Sequence, residues 1–131
     1  MNLPATKGPR VVKFIEKFCV HGEGDFFGEP FVLDDWQKAI IYELYETNSD
    51  NSRKYRESLI GLSKGNGKTQ LAAAIGLFEL LGNGVKSPLV AVAAASYEQA
   101  NLVFGTMKVM CEESILLRGL VETFENEIQI K

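Results

Sequence analysis

The sequence predicts an α/β fold, an incomplete parallel sheet flanked by helices and preceded by a helical lead-in. Three observations predict it. Residues 9–20 and 34–47 carry apolar side chains at helical spacing, and two short apolar runs at 58–63 and 89–95 suit strands buried on both faces. Each run is followed by a long helical pattern, so the second half reads strand, helix, strand, helix, a parallel βαβα unit with a right-handed crossover.

The elements follow in order. Pro9 suits a first helical turn, and Val11, Phe14, Ile15 and Phe18 recur at i, i+3, i+4 and i+7. Residues 21–25, with two glycines, break that helix, and 26–33 read as an irregular connection. The second helix starts at Asp34, with Trp36, Ile40 and Leu44 expected inward and Trp36 as a core anchor. A polar loop at 48–52 leads to the first strand. After a glycine loop comes a helix from Lys68 to Leu81, which Gly82 and Gly84 close by glycine-type capping. Pro88 opens the second strand. Ser96 and Gln99 form a capping box for a helix to Glu113, and a weak alternation at 127–130 suits a third strand.

Composition bounds the function. The 131 residues are 46% hydrophobic and 24% charged, so the chain can bury a core, and a net charge of −3 speaks against a generally adhesive nucleic-acid binder. Cys19 and Cys111 lie far apart without metal-ligand spacing, and both are expected to be buried structural thiols. The first ten residues hold no apolar signal segment, and no uncharged apolar stretch approaches the ~20 residues of a membrane span, so a soluble intracellular chain is expected.

Chemistry concentrates where the first strand meets its helix, at Ser63, Lys64, Gly65, Asn66, Gly67, Lys68 and Thr69. Glycines let the backbone wrap an anion, since they accept φ > 0 and carry no Cβ to strike a phosphate. The following helix start aims its N–H groups and its dipole at the same anion. Lys68 then reaches the β and γ oxygens of a nucleoside triphosphate, and the Thr69 hydroxyl is offered to Mg²⁺. This is the working half of a P-loop, or Walker A motif. The full pattern asks for a glycine where Leu62 stands.

This loop resembles the deviant Walker A of the large subunits of tailed-phage terminases, which also lack the first glycine. Residues 11–15, 28–33, the Trp36–Gln37 pair and 95–100 match the same family in the same order. The resemblance implies the N-terminal part of a RecA/ASCE-like ATPase domain. Residues 1–52 would be a helical segment with the adenine-side Trp-Gln motif, and 53–131 the first part of the P-loop core. By this resemblance the cofactors are ATP and Mg²⁺, and Gln37 contacts adenine. As N3 of its helix, Gln37 equally suits a purely capping role with Asp34. Lys68 and Lys64 are the candidate catalytic groups. Relatives place arginine where Lys64 stands, and lysine keeps the charge without the planar fork, which leaves γ-phosphate contact and a surface role both open. Asn66 either bonds the γ-phosphate or only tolerates the turn.

In the whole family protein the implied partners are double-stranded phage DNA, the portal protein, the small terminase subunit and further copies in a ring, acting in the host cytoplasm. This sequence holds no apolar strand ending in an acidic pair, the element that would hold Mg²⁺ and activate water, and no nuclease carboxylate cluster. The expectation is therefore the N-terminal ATP-binding portion of a packaging motor, with a non-catalytic nucleotide-binding or assembly fragment, or an unrelated P-loop ATPase or kinase fragment, as alternatives. His21 is expected to cap the first helix as a cation rather than to bind a ligand. Arg53, Lys54 and Arg56 are expected in a solvated loop rather than on DNA.

Overall fold

The computed structural model describes residues 4–61 and 67–131. Along them run α1 (Gly8–Phe18), α2 (Asp35–Leu44), α3 (Lys68–Leu81), α4 (Tyr97–Glu113), α5 (Ile115–Arg118), β1 (Val121–Thr123) and β2 (Ile128–Ile130). Helix α3 packs on α4 and α1, and α1 packs on α2.

Helix α1 buries Val11, Val12 and Ile15 and stops two residues early, because Cys19 turns extended while donating its N–H to the Ile15 carbonyl. Its start is pressed onto α2. A Cβ at Gly8 would lie 2.6 Å from Tyr42 Cα and Cδ1, so only glycine permits this approach. Thr6 fastens the same place: its hydroxyl donates to the Tyr42 carbonyl at 2.6 Å and accepts the Gly8 N–H at 3.0 Å.

Helix α2 ends at Leu44 rather than Thr47, because Glu46 and Thr47 are drawn into antiparallel bridges with Thr6 and Arg53. Its inward stripe is also rotated from the expected one. Gln37, Ile41 and Tyr45 are buried, whereas Trp36 is 40% exposed and is no core anchor. The reason is angular: at ~100° per residue, the face at 37, 41 and 45 meets α1, which leaves Ile40 and Leu44 to flank residues 55–61.

The largest departure concerns the sheet. Residues 58–61 and 89–94 carry no ladder hydrogen bonds, and Leu59 and Leu89 are 99% and 91% exposed. Both segments instead line a cleft of about 640 Å³ above Leu71, Ala72 and Ile75 of α3. Strands hold only when paired, and among the described residues these two segments have no ladder partner. Residues 62–63 of the expected first strand lie outside the described residues. The strand expected at 127–130 exists as β2, but it pairs antiparallel with β1 in the register Val121–Ile130 and Thr123–Ile128, not in a parallel sheet.

The helix boundaries of α3 fall as expected, although its C-terminus works differently. Gly82 is right-handed, and its glycine serves space, since a Cβ there would lie 2.8 Å from Phe78 Cδ1 and 2.9 Å from Phe14 Cδ2. Arg10 donates to the Gly82 carbonyl at 2.8 Å. Helix α4 starts at Ser96, whose hydroxyl oxygen accepts the Gln99 N–H. Ser114 joins two ends: its hydroxyl donates to the Phe18 carbonyl at 2.6 Å and accepts the Leu117 N–H at 3.2 Å. Cys19 and Cys111 are free and buried, as expected, and burial pushes both thiols up to about 12.

One polar cluster anchors residues 45–54 to α3. Glu79 accepts from Tyr45 Oη at 2.6 Å, from Arg53 through one guanidinium nitrogen at 2.7 and 2.9 Å, and from Asn83 at 2.9 Å. Burial pushes the Glu79 carboxyl up, but these donors outweigh it and hold it below its ordinary value of 4.5. Arg53 and Lys54 therefore lie in a loop that is exposed yet paired, Lys54 with Glu46 at 3.0 Å.

Two outcomes are expected. Gly8→Ala should force α1 and α2 apart and lower stability by about 1–3 kcal/mol, read as a fall in Tm or denaturant midpoint. Because the Glu79 carboxyl is depressed in the folded chain, its contribution is complete above about pH 4.5 and is lost as pH falls through its lower folded value. Below pH 4.5, the Tm of the wild-type chain should fall more steeply with pH than that of Glu79→Gln.

Candidate functional site

The handover into α3 is built on Gly67. Its φ of 75° is left-handed, and a Cβ there would meet nothing within 4 Å, so glycine is demanded by backbone conformation rather than by space. Lys68 and Thr69 form the first helical turn, with Lys68 exposed and Thr69 partly buried. The first intrahelical bond runs from the Leu71 N–H to the Gly67 carbonyl at 3.1 Å, so the N–H groups of Lys68, Thr69 and Gln70 have no intrahelical acceptor.

Helix α2 has Asp35 in its first turn and α4 has Glu98 plus the Ser96 cap, whereas α3, like α1, has no acidic residue in its first turn and no side-chain cap among the described residues. The first turn of α3 thus offers its dipole no carboxylate of its own, a condition that favours an outside anion there, although Asp34 lines the pocket that Gly67 borders. Of the residues expected to grip phosphate, Gly67, Lys68 and Thr69 stand together at this turn. Ser63, Lys64, Gly65 and Asn66 lie outside the described residues.

Two openings flank this turn. Lys68 and Thr69 line the large cleft shared with residues 58–60 and 90–93. On the other side, Gly67 borders a pocket of about 310 Å³ together with His21, Phe31, Trp36, Gln37 and Gln70. The fold therefore brings Gln37, thirty positions upstream by sequence, to the same cavity as the glycine that starts α3.

Gln37 is 6% exposed, and its Oε1 accepts the Asp34 N–H at 2.8 Å. The capping role considered from sequence is thus real. It occupies the carbonyl half of the carboxamide, and the amide nitrogen has no protein acceptor among the described residues. Trp36, freed from the core, stands at the rim of this pocket.

His21 does not cap α1, which ends three residues earlier at Phe18. Its backbone closes a loop instead: the His21 N–H donates to the Glu29 carbonyl at 2.8 Å and the His21 carbonyl accepts the Gly28 N–H at 2.9 Å. The imidazole packs on Phe31 with ring centroids 4.8 Å apart and on Phe26 at 5.6 Å. Sequence reasoning also missed Gln70, whose Oε1 accepts the Gly22 N–H at 3.0 Å. The available signal was a third polar side chain, after Lys68 and Thr69, at the start of a helix that is otherwise apolar up to Glu79.

Among the described residues, no group of three or more His, Cys, Asp or Glu could hold a metal, and no helix is long and apolar enough to cross a membrane. Thr69 is the one hydroxyl in the first turn of α3, and a metal held there would need its remaining ligands from phosphate, water or residues outside this turn.

Residues 35–130 match a family model described as the terminase large subunit, ATPase domain. Over 117 residues the chain is 39% identical to a terminase large subunit of Enterobacteria phage HK97, covering 88% of this chain and 22% of that protein. The crystal structure of the HK97 bacteriophage large terminase superposes with a TM-score of 0.77 at 33% identity, over 92% of this chain and 24% of that one. The chain spans less than a quarter of the length of each relative.

The conformational demand at Gly67 yields a direct expectation. Gly67→Ala should destabilise the chain by about 1–2 kcal/mol although the added methyl touches nothing, and a denaturant melt at unchanged m-value measures it.

Proposed function

The chain belongs to the terminase large-subunit ATPase-domain family, and from that premise we propose that it forms the phosphate-gripping and base-holding half of the ATP site of a DNA-packaging motor. The observation that carries this reading is the shared border of Gly67 and Gln37 on one pocket, beside a helix start whose first N–H groups have no side-chain cap among the described residues. Those groups, with the backbone of residues 63–66, cradle the β-phosphate. Lys68 neutralises the β and γ oxygens, Thr69 gives its hydroxyl to Mg²⁺, and Gln37 turns its amide nitrogen to the adenine. Lys64 supplies a second charge toward the γ-phosphate.

The metal, when bound, draws charge from the triphosphate oxygens. The chain's own residues do the rest here: they bind, orient and hold charge. Turnover needs a carboxylate to place the metal and activate water, and this sequence offers no apolar strand ending in one. The expected property of the 131-residue chain is therefore nucleotide binding without hydrolysis. In the setting of a whole terminase, the reading extends to ATP-driven movement of double-stranded DNA into a procapsid and cleavage of that DNA. The portal, the small subunit and a ring of copies are then the partners, in the host cytoplasm.

A second reading, an assembly module, is favoured by one observation: residues 58–61 and 89–94 are largely apolar and have no strand partner among the described residues. Such segments gain most from a complementary chain that supplies the missing ladder bonds.

ATP with Mg²⁺ at about 100 Kd should raise stability by ~2.7 kcal/mol, which for a domain of this size is a Tm increase of roughly 10 °C. Lys68→Ala should weaken ATP binding about 10- to 100-fold by removing a charged hydrogen-bond donor. Isothermal titration and a phosphate-release assay check both points. A Tm increase unchanged in Lys68→Ala would overturn the site, and clear turnover lost in that variant would overturn binding without hydrolysis.

A further inference from the structure

We infer that the loop at residues 23–30 is a docking element and that its partner is the basic outer face of α1 in a second copy of this chain. The contact joins copies head to tail. It uses no part of the nucleotide site, so a failure of the nucleotide reading would leave it intact.

The loop stands on a short neck. There the Phe31 N–H donates to the Cys19 carbonyl at 3.1 Å and the His21 N–H to the Glu29 carbonyl at 2.8 Å. All eight residues of 23–30 are exposed, Phe26 to 61% and Phe27 to 50%. In a loose loop such exposure would say little, but this one is held in shape. The Gly28 N–H donates to the His21 carbonyl at 2.9 Å, Phe27 to Gly24 at 3.2 Å and Glu29 to Phe26 at 2.9 Å, with Gly24 and Gly28 left-handed at φ 79° and 81°. A preformed tip that holds two phenylalanines in water is matched to a partner rather than to its own core. Glu23, Asp25 and Glu29 are exposed beside them, so the tip repels nucleic acid and anionic lipid and attracts a basic surface.

The chain carries that surface itself. Arg10, Lys13 and Lys17 recur at i, i+3 and i+7 on the outer face of α1, all exposed. Beside them the stacked rings of Phe14 and Phe18 are only partly buried, with Lys17 Nζ 5.4 Å from the Phe18 centroid, which gives the basic face an apolar edge for a phenylalanine. Among the described residues the ion pairs are Arg53 with Glu79 and Lys54 with Glu46, so neither the three loop carboxylates nor Lys13 and Lys17 has an ionic partner there. The two sets are rooted at opposite ends of α3. Arg10 is fastened to the Gly82 carbonyl at its end, whereas the base of the loop, Gly22, is fastened to Gln70 near its start, about 18 Å away along the helix. Unlike, complementary faces set apart on one molecule satisfy each other by heterologous contact between copies.

The test is sedimentation velocity on the 131-residue chain, with two variants made in exposed side chains. Asp25→Asn with Phe27→Ser disables the loop, and Lys13→Gln with Lys17→Gln disables the α1 face. The wild type should self-associate as concentration rises, with affinity falling about tenfold or more between ~0.02 and ~0.2 M salt. Each variant alone should stay monomeric up to ~1 mM, because a contact needs one loop and one α1 face. An equimolar mixture should form a one-to-one complex that grows no further, since each member keeps one competent face. A wild-type Tm shows that the variants fold, and where a double variant melts early, Asp25→Asn and Lys13→Gln alone serve the same mixture. Association of the α1 variant alone at wild-type strength means that loops pair with loops and overturns the inference. So does a mixture of folded variants that stays monomeric. A wild type that is monomeric up to ~1 mM overturns it as well, and binding of oligolysine by that monomer through Asp25 and Phe27 would assign the loop to another basic partner.

Discussion

Close contact between α3 and α4 is the constraint from which the remaining structure follows. It depends on small side chains: Ala73 and Ala74 are fully buried, and a Cβ at Gly76 would lie 3.1 Å from the Met107 methyl. With α3 seated so deeply, its polar positions become fixed anchor points. Gln70 near its start takes the Gly22 N–H, Glu79 takes Tyr45 and Arg53, and the Gly82 carbonyl at its end takes Arg10. Each bond holds a different preceding segment, so residues before the helix are arranged by a helix made later in the chain. Half-buried, multiply donated acceptors such as Glu79 are costly to leave unmade, which gives these few bonds more influence over geometry than over net stability.

The parts of the fold legible in the sequence are those set by local chemistry. Helix α3 spans 68–81 as read because a glycine with left-handed backbone stands before it and a crowded glycine after it, and α4 begins at the serine that caps it. What was not legible depends on partners distant in sequence. The apolar runs at 58–63 and 89–95 have strand composition, but composition only says that a segment fits a sheet, and the ladder must come from neighbours. Strand β2 was legible from its alternation, but β1 and the antiparallel pairing escaped, since a three-residue strand leaves almost no periodicity to detect.

The same division runs through the site. Glycine and lysine at the helix start were legible because the chemistry of an anion cradle is local. Trp36 was misassigned because its helix was read with the wrong face inward, an error of one residue that turns a side chain through ~100°. His21 was misassigned because α1 was read too long, which put a loop residue at a helix end. Correcting both errors moves two aromatic side chains from structural roles to the border of one pocket.

At Gln37 the sequence poses a choice, helix cap or base contact, and the structure shows the cap made by the carbonyl alone. The carbonyl oxygen satisfies the Asp34 N–H, which costs the pocket nothing because the amide nitrogen lies on the other arm of the same plane. Capping also has a consequence for recognition. A glutamine free in solvent samples many rotamers and can present either donor or acceptor, whereas one with its carbonyl tethered has its plane and its donor direction decided before any ligand arrives. The ordering entropy is then charged to folding rather than to binding. For the nucleotide reading, the cap is what makes a flexible, chemically ambiguous side chain a rigid donor, so the structural role and the proposed recognition role are one arrangement seen from its two ends.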